Sequence, residues 1–149
     1  MAQQYRLGLI RRAANVLMRA LLALRVPIPH TYLLAVRGRR TGVLRKTPVT
    51  LVEDDRGRFL VAPYGDVNWV RNARSAGKVQ LRHGSRWRTA QITELSPKDA
   101  APILKTYITQ VRIVRPYFDV TPASSLAEFE REAPRHPVFR ITDEAEAAA

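Results

Sequence analysis

YLLAVRGRRTGVLRKTPVTLVED, residues 32–54, decides the fold. Two runs rich in β-branched and aliphatic residues, 32–37 and 46–54, flank a connection that carries Gly38 and Gly42. Such runs suit a pleated, half-buried surface, and the glycines allow the chain to reverse tightly between them. Further strands are predicted over RFLVAP (58–63), KVQLRH (78–83) and RWRTAQITE (86–94), with Arg56-Gly57 and Gly84-Ser85 as hairpin turns. Strands joined by hairpins form an antiparallel sheet. Between the third and fourth strands one helix is expected, capped by Asp66, with its body over 69–76 and its stop at Gly77. Two more follow, about 97–112 with Ser96 as cap and about 123–133 with Thr121 as cap and Pro134 as stop, before a frayed tail over 143–149.

The leading segment, residues 5–24, alternates its character every three to four positions. Leu9, Ile10, Ala13, Val16, Leu17, Ala20, Leu21 and Leu24 share one helical face, and Arg11, Arg12, Asn15 and Arg19 share the other. The arginines make its apolar runs too short for a membrane span or a secretory signal, and Pro27 and Pro29 end the helix near Arg25. Its apolar stripe packs on the domain, or its arginine face meets anionic lipid. The expected location is the cytoplasm, with peripheral contact at the inner membrane face through this helix. A single domain follows from 149 residues with 46% apolar content and no linker or repeat. The expected class is α+β: five or six strands closing into a small antiparallel barrel, with helices around it.

Composition narrows the chemistry. The chain has no cysteine, which excludes disulfides, thiolate metal sites and a cysteine nucleophile. His30, His83 and His136 are widely separated and match no metal-binding spacing, so no metal is expected. Ten basic residues and no acid lie between Met1 and Val52, within a formal net charge of +12, and the first carboxylate is Glu53. An acid-free front of this kind attracts an anion, whether nucleic acid, a lipid surface or a phosphorylated or carboxylated small molecule. No nucleic-acid-binding module is recognisable, and the aromatics do not interleave with the basic run.

Two clusters carry the functional signal. Gly38-Arg39-Arg40-Thr41-Gly42-Val43-Leu44-Arg45-Lys46-Thr47-Pro48 places four cations within eight positions on a glycine-hinged turn. Such a loop grips phosphate or carboxylate, or is simply a solvated hairpin. Ala62-Pro63-Tyr64-Gly65-Asp66-Val67-Asn68-Trp69-Val70-Arg71-Asn72 ends a strand at a bend and opens a helix, gathering free N–H groups, amides and aromatic rings at one mouth. A planar heterocycle suits that mouth, while Trp69 by itself equally suits a core position.

The order and spacing of the two motifs, G-R-R-T-G-x-x-R-x-T-P and then Y-G-x-x-x-W-x-x-N, resemble the deazaflavin-dependent nitroreductase family over residues 36–95, with an echo at Pro116-Tyr117-Phe118. The resemblance implies a split β-barrel, similar to flavin mononucleotide-binding split barrels, that binds coenzyme F420, a deazaflavin with a phosphate and an oligoglutamate tail. It implies that Arg39, Arg40 and Thr41 face the phosphate and tail, and that Arg45, Lys46, Thr47 and Pro48, with Val49 and Thr50, line the phosphate and the ring edge. Val61, Ala62, Pro63 and Tyr64, with Asn68, Trp69, Val70, Arg71 and Asn72, would border the ring. Tyr64 and Tyr117 become the candidate catalytic residues. The implied reaction is hydride transfer from reduced deazaflavin to an electron-poor small molecule such as a quinone, an enone or a nitroaromatic, in a protein able to form a homodimer. The alternative is a barrel that binds flavin mononucleotide, or a non-catalytic one that holds a lipid or another hydrophobic ligand. Thr50 and Pro63-Tyr64-Gly65 depart from the residues frequent in that family, which leaves the acceptor open.

Overall fold

A computed structural model describes Arg12, Val16 and residues 30–143. Six strands form a closed barrel: β1 (Thr31–Arg37), β2 (Leu44–Asp54), β3 (Gly57–Val61), β4 (Lys78–His83), β5 (Arg86–Glu94) and β6 (Val138–Asp143). Around the barrel the order is β1-β2-β3-β6-β5-β4, and every pairing is antiparallel. Over the described residues 30–143 three α-helices accompany it: α1 (Asn68–Ala76), α2 (Pro97–Gln110) and α3 (Leu126–Glu132).

The barrel has two hydrophobic layers. Inside, Leu34, Leu51, Leu60, Leu81 and Phe139 meet Val70 and Ala73 of α1. Outside, Val52, Phe59, Val61 and Val138 pack against Leu104 and Ile108 of α2 and Phe129 of α3. Neighbours Leu51 and Val52 are both fully buried because the sheet is covered on both faces there.

Closure depends on β6, which the sequence left unassigned. Val138–Asp143 fills the space between β3 and β5, turning Phe139 and Ile141 inward and Arg140 out. Asp143 therefore belongs to the barrel and not to a frayed tail. Other boundaries also shift. The β2–β3 turn is Asp55-Arg56, one residue early, with Gly57 at φ 131° just after it. Asp66 does not cap α1; Val67 occupies the cap position without a side-chain hydrogen bond, and Asp66 pairs with Arg71 and Arg74 instead. Ser96 caps α2 as expected, but that helix ends at Gln110, and a 3-10 turn, Arg112–Tyr117, follows. Ser125 caps α3, accepting from the Glu128 N–H at 3.2 Å, while the Thr121 hydroxyl is used in a local turn with the Ala123 N–H. Arg12 and Val16 are helical and exposed; the remainder of the helix expected over 5–25, and its lipid contact, lie outside the described residues.

Candidate functional site

The hairpin between β1 and β2 is built on glycine. Gly38 N–H donates to Val43 O at 2.8 Å, Gly42 N–H donates to Gly38 O at 2.9 Å, and Gly42 sits at φ 72°. Thr41 Oγ1 accepts from Val43 N–H, and Arg37 reaches across to Gly42 O. This bonding fixes the loop from which Arg39 and Arg40 project, both exposed.

Arg39 is held from across the fold. The Asn72 side-chain oxygen accepts from the Arg39 backbone N–H at 3.0 Å and from its guanidinium at 2.8 Å. Asn72 is buried on α1, so the hairpin is clamped to the helix that fills the barrel mouth. A neutral amide orients this guanidinium without cancelling its charge.

Below the hairpin, β2 is paired unequally. Residues 44–50 pair with β1, whereas β3 meets β2 only over Leu51–Asp54. Among the described strands none covers the other edge of 44–50, which is the split in the barrel. Leu51 N–H donates to His30 O, so by strand alternation the odd-numbered residues address β1, and Lys46, Pro48 and Thr50 turn their backbone groups to the split. Pro48, which has no N–H, is tolerated there for that reason.

Arg45 and Lys46 are exposed on β2, and Thr47, Pro48, Val49 and Thr50 are half-buried along it. Lys46 lies over the Trp87 ring at 5.5 Å, and Arg82 lies 5.6 Å from the same ring. Trp87 and Arg82 escaped the sequence reading because their place beside Lys46 depends on β4 pairing with β1. That pairing also joins two acid-free stretches. Residues 31–52 and 78–93 together carry nine Lys and Arg and no acid, while the other described residues from 53 to 143 carry eleven of each sign. The strand order β2-β1-β4-β5 makes the first group one continuous positive half of the barrel.

The second cluster divides. Val61, Ala62 and Val70 have side chains closed within the core, so they border a ligand only through the elements they hold in place. Asn68 is exposed in the first turn of α1, and Arg71 is exposed and engaged with Asp66. Trp69 is half-buried, packed on the inner layer 6.3 Å from the Phe139 ring. Pro63 gives its carbonyl to His136 Nδ1 at 2.9 Å. Tyr64 and Tyr117, fifty-three positions apart, meet edge to face with ring centroids 4.8 Å apart. Beside them Tyr107 is buried, and burial together with the nearby Tyr64 raises its hydroxyl pKa far above the ordinary value, so it stays protonated.

A barrel with a positive split and a clamped arginine can receive an anionic planar ligand, while the tyrosine pair lies in the outer apolar layer, Tyr117 buried and Tyr64 half-buried. A family model described as F420H(2)-dependent quinone reductase matches residues 11–122. The chain belongs to that family. Its cofactor is coenzyme F420, and it is an F420-dependent reductase. The fold has solved relatives. An F420-H2 dependent reductase (FDR-A) superposes with a TM-score of 0.56 at 21% identity, covering 78% of this chain and 97% of that one. A protein described as a domain-swapped dimer gives 0.56 at 18% identity, covering 89% and 96%. The heme storage protein HutZ from Vibrio cholerae gives 0.55 at 10% identity, covering 84% and 88%. No curated protein matches significantly.

Proposed function

We propose that this F420-dependent reductase transfers a hydride to a quinone-class acceptor, with enones and nitroaromatics as further electron-poor substrates. The observation that carries the reading is the Arg39–Asn72 clamp at the head of a barrel half with nine cations and no acid. A phosphate followed by a chain of carboxylates fits that surface, because each added anionic group finds a cation without an acid competing nearby.

In this reading Arg39, Arg40 and Thr41 hold the tail, and Arg45 and Lys46 hold the phosphate. The backbone of Lys46, Pro48 and Thr50 offers hydrogen-bonding groups to the ring edge along the split. When bound, reduced F420 supplies a hydride from its C5 atom. The chain's own contribution is positioning and electrostatics: α1 and the 62–67 loop wall the ring, and Trp69 excludes water from its flank. Tyr64 or Tyr117 provides an O–H toward the oxygen of the acceptor on which negative charge develops. A homodimer, supported by the solved relative described as a domain-swapped dimer, and contact of the leading helix with the membrane, supported by the amphipathic pattern of residues 5–24, complete the proposal.

The test is a screen of reduced F420 oxidation against soluble quinones, enones and nitroaromatics. Quinone reduction at a higher kcat/KM than the other classes supports the proposal. Oxidation with no quinone among the acceptors, or tighter binding of flavin mononucleotide than of F420, refutes it.

A further inference from the structure

The geometry points to Glu132 and His136 as a positioning pair that braces the two candidate tyrosines through one shared proton. This inference rests on the reading of Tyr64 and Tyr117 as acceptor-side residues. Both members of the pair are buried, at 3% exposure each, in a part of the fold that neither the hairpin nor the split explains.

Three segments meet at the His136 ring. Its Nδ1 lies 2.9 Å from the carbonyl oxygen of Pro63, the residue before Tyr64. Its Nε2 lies 2.7 Å from Glu132 Oε2. Its face is stacked on Phe118, the residue after Tyr117, at 3.7 Å and 14°. The same Glu132 oxygen accepts from the Asp119 N–H at 3.1 Å, so the carboxylate also holds the tyrosine-bearing segment directly. Gly65 shows how closely the first loop lies on this brace: a Cβ there would sit 3.3 Å from the Arg135 carbonyl oxygen.

The hydrogen-bond partners set the proton count. A carbonyl only accepts, so Nδ1 must donate to Pro63. Nε2 then either carries a second proton and donates to a carboxylate, or accepts from a carboxylic acid. In both cases the pair holds one proton more than neutral imidazole plus carboxylate. The Asp119 N–H on Oε2 and the Arg135 guanidinium 3.1 Å from Oε1 engage both oxygens of Glu132. The charged groups facing the ring are Glu132, Arg135 and, bound to Arg135 at 2.8 Å, Asp119. Burial works to release the shared proton, and the Glu132 hydrogen bond works to keep it; burial prevails and lowers the imidazole below its ordinary value. Once the proton leaves, one of the two ring bonds must break, so either the Pro63 carbonyl or the Glu132 carboxylate loses its donor and the packing around Tyr64 and Tyr117 readjusts.

Nitrogen-resolved NMR of the cofactor-free protein across pH tests the brace apart from any activity. Loss of a ring proton from His136 as pH rises, with Tyr64 and Tyr117 ring resonances moving at the same midpoint, is expected; tyrosine resonances that ignore that titration overturn the inference. In assays with reduced F420 and a soluble quinone, kcat falls with the same midpoint on the alkaline side. E132Q replaces the shared proton by an amide N–H that donates to Nε2 of a neutral ring and gives up the bond from the Asp119 N–H, so its kcat is lower at every pH and its alkaline fall disappears. H136F keeps the stack on Phe118 but neither hydrogen bond, and loses roughly ten- to a hundredfold in kcat with F420 binding unchanged. An E132Q enzyme with the native alkaline fall overturns the inference. If no variant or native protein reduces any acceptor, the catalytic reading fails, and the resonances still decide the brace.

Discussion

Arg39 and Asn72 are joined twice through one oxygen: the amide of Asn72 accepts both the backbone N–H and the guanidinium of Arg39. The clamp couples the shape of the hairpin to the aim of its charge. Asn72→Ala removes the acceptor from both donors and is expected to weaken F420 binding about tenfold, with a stability cost of about 1–3 kcal/mol from the groups left unpaired. Asn72→Asp keeps an acceptor but neutralises the guanidinium, so the fold persists while F420 binding still weakens. Fluorescence titration with F420 and thermal unfolding separate the two effects.

Long-range attraction sets the salt response. Arg45 and Lys46 are exposed within the positive half, so their contribution is screened over roughly 8–10 Å at ordinary ionic strength. Arg45→Ala and Lys46→Ala are each expected to raise the Kd for F420 several-fold at low salt, and the difference from the native protein narrows as salt is added. A mutational effect that is constant across salt concentrations would place these cations outside the binding surface.

The edge-to-face contact of Tyr64 and Tyr117 allows their hydroxyls to be tested separately from their rings. Tyr64→Phe and Tyr117→Phe preserve the ring pair. The one whose O–H serves the acceptor is expected to lose roughly a hundredfold in kcat with little change in F420 binding. Stopped-flow oxidation of reduced F420 by a quinone provides the measurement. If neither variant slows the reaction, water supplies the proton.

At the opposite end of the barrel, Glu53 accepts from Tyr32 at 2.8 Å, from His30 at 2.9 Å and from Arg58 at 3.2 Å. Burial works to raise its pKa, but these hydrogen bonds outweigh burial and hold it below the ordinary value. A carboxyl depressed in the fold contributes stability that is full above its unfolded pKa of about 4.3 and is lost as pH falls through the lower folded value. Glu53→Gln is therefore expected to lower Tm at neutral pH and to flatten its decline below about pH 4. Thermal unfolding followed from pH 7 to pH 2 checks the slope.

Local sequence determined most of the elements and the chemistry of the hairpin. The aliphatic run in 32–37, the alternation in 78–83, the turn glycines and the Ser96 cap act over a few positions, where side-chain direction and backbone freedom leave a direct mark. The cation-rich turn and the tryptophan segment were likewise legible as motifs, because both lie on contiguous chain. Tertiary structure alone decided which strands are neighbours. β6 was invisible as a partner until the barrel closed, and only the β1–β4 pairing merged two acid-free stretches into one surface. The oxygen of Asn72, the ring stack of Phe118 on His136 and the meeting of Tyr64 with Tyr117 join residues too far apart for any local periodicity to encode. Alternation specifies which way a side chain faces; closure of the barrel specifies what it meets.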